Sequence, residues 1–284
     1  MPATATYASA HENNVLVHTH ENAFASIIVP TLDEAANVCR LALTLRHLPE
    51  AEIIFADGGS RDGTAYEITN HCNGDGKVRL VHAARGRASQ MNAGAKIARG
   101  DWLIFLHADT FLPPESFQNF LRHVRAHSVL AAGAFTFRVD HSRRVYRYLE
   151  FYVGMRSRLL KLPYGDQAIF VQRKLFEEIG GYREDYPLME DLELVRRLHK
   201  RKGFAILKFP VYTSARRFEQ DGYLQRTCGN LYLQFLYAFG VSPQKLAEKY
   251  WKKSAPCHSE RTFPRTGNKA QIDGSVSPWE DSTE

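Results

Sequence analysis

The sequence predicts an α/β fold with a mostly parallel central sheet flanked by helices, and three observations point to it. Short apolar runs rich in β-branched residues recur along the first two thirds of the chain. Stretches with apolar residues at helical spacing separate the first four of these runs. The runs stop at polar, glycine- or proline-bearing turns, as buried strands do at an exposed sheet edge. Strand alternating with helix implies right-handed βαβ units.

Taken in order, the first strand is SIIVP (26–30), and the helix after it carries Val38, Leu41, Ala42 and Leu45 on one face. The second is EIIFAD (52–57), followed by Ala65, Ile68, Thr69 and Cys72 at helical spacing. The third is VRLVHA (78–83), followed by Met91, Ala95 and Ala98, and the fourth is WLIFLHAD (102–109). From residue 131 the order turns irregular, with strands at GAFTFRV (133–139) and AIFVQR (168–173) around a basic, aromatic stretch. Helical patterns follow at about 189–202 and 219–239. Residues 1–23 and 253–284 are polar and aperiodic and are expected to be mobile tails.

Composition bounds the function. The 284 residues are 44% hydrophobic and 24% charged, ordinary globular material with enough apolar content for a substantial core. Four cysteines stand far apart with no CxxC, so neither a zinc site nor a disulfide framework is suggested and the reducing cytoplasm is the expected location. The first 24 residues have no apolar core of the signal-peptide kind. No apolar run approaches the ~20 residues of a membrane span. The net charge of +6 is concentrated: residues 138–161 hold seven Lys/Arg against Asp140 and Glu150. Such a run suits anionic partners, including peripheral contact with an anionic membrane.

Three strand ends carry chemistry. The second leads into ADGGSRDGT, with Asp57 before Gly58-Gly59. There the backbone can turn sharply toward a ligand, and Asp57 can accept hydrogen bonds from a base or ribose. Asp62 reads equally well as a helix cap. The first strand leads into VPTLDEAAN, where Thr31 and Glu34 fit a capping box, while Pro30 and Thr31 can line a pocket through their backbone. Arg85 and Arg87, in the segment 84–101 before the fourth strand, stand at the mouth of a helix, where cations and free amides meet phosphate oxygens. Asn92 and Gly94 follow within that helix, and the glycine's cost of about 1 kcal/mol against alanine suggests close packing there.

The fourth strand ends at His107-Ala108-Asp109. Hard divalent cations take oxygen ligands and leave positions for substrate phosphates, so Asp109 can hold one together with a diphosphate. Two-residue spacing on an extended strand puts His107 on the same side, as a ligand or as a satisfied structural histidine. Further on, Glu190-Asp191 follows a glycine hinge and a proline in GGYREDYPLMED. The pair can complement a helix dipole, or present an acid into a cleft as general base toward a hydroxyl.

In order, SIIVPTLDEAANV, ADGGSRDGT, GRASQMNAGAKIARGDWLIFLHADT and GGYREDYPLMEDLELVRRL resemble the motifs of family 2 glycosyltransferases over residues 25–210. YGDQAIFV, PLMEDLEL, ARRFEQDG and GNLYLQFLYAFGVSPQKLAEKY resemble the arsenosugar-biosynthesis subgroup. The resemblance implies a GT-A nucleotide-diphospho-sugar transferase fold, a nucleotide-sugar donor, UDP-linked, an acceptor, a divalent cation (Mg2+ or Mn2+) and inversion at the anomeric carbon. It implies a domain over 24–252, with 24–130 as nucleotide-binding half and 131–252 as acceptor half with C-terminal helices. By position, Asp191 becomes the catalytic base; Pro30, Thr31, Glu34, Asp57, Arg85, Arg87, Asn92, Ala108 and Asp109 fall to the donor; Gly165, Asp166, Gln167 and Glu190 fall to the donor sugar or acceptor. The metal falls to Asp109 with His107, where the family's DxD motif often has its first aspartate. No nucleic-acid partner is expected on this reading. The alternatives are a nucleotidyltransferase acting on a sugar phosphate and a non-catalytic basic module, built on 138–161, for membrane surfaces or nucleic acid.

Overall fold

The computed structural model describes residues 23–72, 76–159 and 162–254. The two expected tails, apart from residues 23, 253 and 254, lie outside the described residues, as does Lys161 of the basic run.

The N-terminal part follows the predicted alternation: β1 (Ala25–Thr31), α1 (Ala35–Leu45), β2 (Ala51–Asp57), α2 (Thr64–Glu67, continued by a π-turn over Ile68–Cys72), β3 (Val78–His82), α3 (Arg87–Ile97) and β4 (Trp102–Phe105). Every residue of β1, β2 and β4 is buried, because helices cover both faces of this part of the sheet. Successive side chains of β1 serve different cores: Ile27 and Val29 join α1 on one face, and Ile28 joins α3 on the other. At Gly94 a Cβ would come within 2.5 Å of Ile28 Cγ2, so the glycine lets α3 lie directly on β1. β1 pairs in parallel with β2 from Ala25↔Ala51 to Thr31↔Asp57, which sets Thr31 and Asp57 side by side at the same edge.

The second part is β5 (Thr110–Phe111), α4 (Pro114–Ala126), β6 (Ala132–Asp140), α5 (Arg144–Leu159), a 3-10 turn (Gly165–Gln167), β7 (Ile169–Gln172), α6 (Arg173–Glu178), α7 (Glu190–His199), β8 (Phe204–Ser214), α8 (Arg216–Asp221), α9 (Tyr223–Ala238) and α10 (Pro243–Ser254). The strand order is β3-β2-β1-β4-β7-β6-β8-β5. β3, β2, β1 and β4 are mutually parallel, and β6 and β8 are parallel, whereas β7 runs against both β4 and β6 and β5 runs against β8. The sheet is therefore parallel in its first half and mixed in its second.

Three differences from the sequence reading have physical causes. β8 escapes detection because its burial follows no clean alternation and Pro210 sits inside it. The proline is accommodated at a register shift against β6, between Ala134 and Thr136. The helical pattern over 219–239 is two helices, broken at Gly222, whose φ of +82° suits glycine. The strand read as 102–109 ends at Phe105; Leu106 N still donates to Ile28 O, and Thr110 N then donates to His107 O at 3.0 Å, closing a turn.

Candidate active site

The ends of β1 and β2 carry two interlocked loops. Asp57, 2% exposed, accepts from Gly59 N at 3.1 Å, Ser60 N at 3.2 Å and the Ser60 hydroxyl, and lies 3.7 Å from His82 Nδ1. Its carboxylate thus organises its own turn, with Gly59 at a φ of +85°. The expected capping box does not form. Thr31 is the last residue of β1 and turns its hydroxyl toward Ala56 O (3.4 Å), while Glu34 is itself the N-cap residue of α1 and accepts from Asn37 Nδ2 at 2.6 Å. The caps come from the neighbouring loop instead: Thr64 Oγ1 accepts from Glu34 N at 2.8 Å and Asp62 Oδ2 from Ala35 N at 2.9 Å. Asp62 also accepts from Thr64 N at 3.0 Å, so its expected capping role is doubled. Burial works to raise the Asp62 pKa, but the bonds from Thr64 and Ala35 outweigh it and hold the carboxyl below its usual range. Buried Gln90 on α3 ties both strand ends together, donating to Thr31 O at 2.6 Å and Ala56 O at 2.9 Å.

Beside these loops a cleft opens between the sheet edge and the C-terminal helices, lined by Arg87, His107, Asp109, Tyr164, Asp166 and Asp191 and closed by Thr213, Ser214 and the inner side of α9. Because His107–Thr110 is a turn, strand alternation is not what brings His107 and Asp109 to the cleft; the turn does it. Asp191, at the start of α7, is aimed by two amides: Gly165 N donates to Oδ2 at 2.7 Å and Leu192 N to Oδ1 at 2.8 Å. A Cβ at Gly165 would lie 2.7 Å from His107 Nε2 and 3.4 Å from Asp191 Oδ2, so three motifs distant in sequence meet at this glycine.

Arg87 Nε bonds Glu190 Oε1 at 2.7 Å, fastening the mouth of α3 to α7. Glu190 is 2% exposed, and its Oε2 is buried without a hydrogen-bond partner among the described residues. Burial pushes its pKa up to about 7 against the opposing pull of Arg87. Asp166 is likewise pushed up to about 6, first by burial, with Arg156 opposing and Asp191 and Asp109 adding to the rise; its Oδ1 is also buried and without a hydrogen-bond partner among the described residues.

Not every expected residue reaches the cleft. Asn92 clasps the backbone of Tyr182 through both amide atoms (2.9 Å each), a tie between α3 and the loop before α7. Gln167 is buried, accepting from Ser157 Oγ at 2.6 Å and donating to Phe135 O at 3.1 Å, and is structural. Arg85 is exposed and is absent from the cleft lining, whereas Pro30 is buried within β1. Ala108 lines an adjoining hollow that shares Asp109 and Ser214 and carries Arg40 and Arg216. In the sequence Arg156 stands only as one member of the basic run 138–161. It is 7% exposed and stacks on the Tyr164 ring at 3.7 Å, on the inner face of α5. A period of 3.6 through Tyr146, Leu149, Val153 and Arg156 was the available signal.

Among the described residues no group of three or more His, Cys, Asp or Glu is arranged to hold a metal ion. The donor set fits a hard cation bound largely through a substrate's diphosphate, with Asp109 as the protein's oxygen and the unpartnered Asp166 Oδ1 nearby. It does not fit a cation held by the protein alone.

Comparison with known proteins gives the family and the fold. The model of the family described as "Glycosyl transferase family 2" matches residues 26–183, more than half of the chain. A PGL/p-HBAD biosynthesis glycosyltransferase of Mycobacterium bovis is 30% identical over 179 residues, covering 58% of this chain and 66% of that protein. The chain thus spans just under two thirds of the length of such curated relatives. Among solved structures, the mannosyltransferase PcManGT of Pyrobaculum calidifontis, in complex with GDP-Man and Mn2+, superposes with a TM-score of 0.58 at 15% identity, covering 81% of this chain and 69% of that one. TarS 1-349 of S. aureus, in complex with UDP-GlcNAc, gives 0.56 at 16% identity, covering 67% and 58%. These likenesses establish the fold, and it is the expected GT-A type.

Proposed function

The chain belongs to glycosyl transferase family 2, and from that premise we propose that it is an inverting glycosyltransferase moving a sugar from a nucleotide-diphosphate donor, UDP-linked, to an acceptor hydroxyl. The observation that carries this reading is the convergence of Arg87, His107, Asp109, Asp166 and Asp191 on one cleft at the edge of a parallel sheet. Asp191 takes the acceptor proton as the acceptor oxygen attacks the anomeric carbon from the face opposite the leaving group. The bond from that carbon to the diphosphate oxygen breaks with its electron pair, and the single displacement inverts the configuration. Arg87, at the mouth of α3, faces the charge gathering on the departing diphosphate. Thr31, Glu34 and Asp57 form the nucleoside end of the site, with Asp57 holding the turn that approaches it. A divalent cation would be held by Asp109 together with the donor's diphosphate and, when bound, would supply Lewis-acid stabilisation of the leaving group.

The motif resemblance to the arsenosugar-biosynthesis subgroup supports a small-metabolite acceptor, and four widely spaced cysteines with no CxxC suit a cytoplasmic setting. No described helix is long and apolar enough to cross a membrane.

Calorimetric titration of UDP and GDP, with and without Mn2+, on wild type, Asp109→Ala and Asp191→Asn tests the reading. Expected is metal-dependent UDP binding that is lost in Asp109→Ala and kept in Asp191→Asn. Transfer from a UDP-sugar is expected to fall about 10²–10⁴-fold in Asp191→Asn. Folded protein that binds neither nucleotide overturns the reading.

A further inference from the structure

Two helices carry large apolar side chains on the side turned away from the domain. On α5, Tyr148, Phe151, Met155 and Leu159 are 75%, 72%, 43% and 72% exposed. Their spacings of three and four residues put them in one stripe. The opposite side of the same helix is buried through Tyr146, Leu149 and Val153, so α5 is apolar on both faces, the mark of a helix with a second partner. On α9, Leu231, Tyr232 and Phe235, with Phe239 just past its end, are 37%, 50%, 58% and 73% exposed, while its inner side gives Asn230, Leu233 and Gln234 to the cleft.

The charge on the exposed side of α5 identifies the partner. Arg144 and Arg158 are exposed among the apolar side chains, while Arg147 turns toward the inner side. Glu150, the helix's acid, is buried on the far face and bonded to Arg138 at 2.6 Å and Arg147 at 3.0 Å. A second copy of the chain meeting this face across a two-fold axis would bring arginine against arginine with no acid on the face to answer it. An anionic lipid surface answers both features at once, phosphates for the arginines and the acyl boundary for the apolar stripe.

We propose that the outer face of α5 docks the protein onto an anionic membrane surface. Phe151, Met155 and Leu159 enter the boundary between headgroups and acyl chains, Tyr148 lies at headgroup level, and Arg144 and Arg158 reach lipid phosphates. The docking locates the protein without fixing its acceptor, and it stands independently of the transferase reading.

Co-sedimentation of the full chain with vesicles of phosphatidylcholine alone, and of phosphatidylcholine with phosphatidylglycerol, tests it. Expected is binding to the phosphatidylglycerol vesicles that falls about tenfold without the anionic lipid or at high salt. Phe151→Asp/Met155→Asp and, separately, Arg144→Glu/Arg158→Glu are each expected to lower partitioning by at least about tenfold. Both should keep the wild-type far-UV circular dichroism and thermal midpoint; the second pair alters only exposed charges and serves if the first fails to fold. Three outcomes overturn the proposal: wild type that ignores phosphatidylglycerol vesicles, folded variants that bind as wild type does, or a wild-type dimer that the apolar variant turns monomeric while vesicle binding is nil.

Discussion

Glu190 is a carboxyl under two opposing influences. Its side chain is 2% exposed, which disfavours the ionised form, and it stands 2.7 Å from the Arg87 guanidinium, which favours it. Burial prevails and the pKa rises from its ordinary 4.5 to about 7. A carboxyl whose folded pKa is raised keeps its proton longer in the folded protein than in the unfolded chain. Its contribution to stability is therefore present in full below about pH 4.5, and is lost as pH climbs through about 7. Glu190→Gln removes this titration. Wild type is expected to lose stability relative to Glu190→Gln as pH rises across that window, with no further divergence above it, read by urea denaturation at a series of pH values. A difference that does not change with pH would overturn the assignment. Asp166, raised in the same direction to about 6, titrates in both proteins and drops out of the comparison.

Between elements, the loop after β2 finishes the helix after β1. Asp62 accepts from Ala35 N at the start of α1 and from Thr64 N at the start of α2. Asp62→Ala uncaps both and is expected to cost about 1–2 kcal/mol. For a domain of this size that lowers the thermal midpoint by roughly 2–8 °C, measurable by calorimetry; an unchanged midpoint would mean that solvent replaces both caps without cost. This arrangement also marks where sequence reading stops. Apolar runs revealed β1, β2 and β4 because strands covered on both faces are largely apolar, whereas the edge strand β3 showed through alternation of Val78, Leu80 and polar neighbours; the carboxylates at the end of β2 and after β4 stood out against those runs. Asp109 and Asp191 were legible as strand-end and helix-start acids. The cap on Ala35 was not, since the group that satisfies it lies 27 residues away and local spacing offered Thr31 as a nearer candidate. Asn92 and Gln167 show the converse: an amide in a motif looks the same whether it meets a ligand or, as here, a backbone carbonyl.

At the scale of the whole molecule, β4 is the hinge of the topology. One edge pairs with β1 and the other with β7, which runs antiparallel to it, and the rings of Trp102, Phe120, Phe135 and Phe170 meet across that seam. The stretch 24–130, which the motif resemblance implies to be a nucleotide-binding half, lacks β7 and leaves the apolar edge Trp102–Phe105 unpaired. Expressed alone it is expected to aggregate, while a chain of residues 24–254 stays monomeric in sedimentation; a soluble, cooperatively melting 24–130 fragment would show the half to be autonomous. The same seam sets a clock on biosynthesis. Phe105 and Ile169, which pair in the finished sheet, are about 64 residues apart, and a ribosome adding roughly 5–20 residues per second takes about 3–13 s to bridge them. Throughout that interval each nascent chain emerges with a hydrophobic strand edge open, so a slow stretch of codons between these positions would lengthen the time it depends on chaperones.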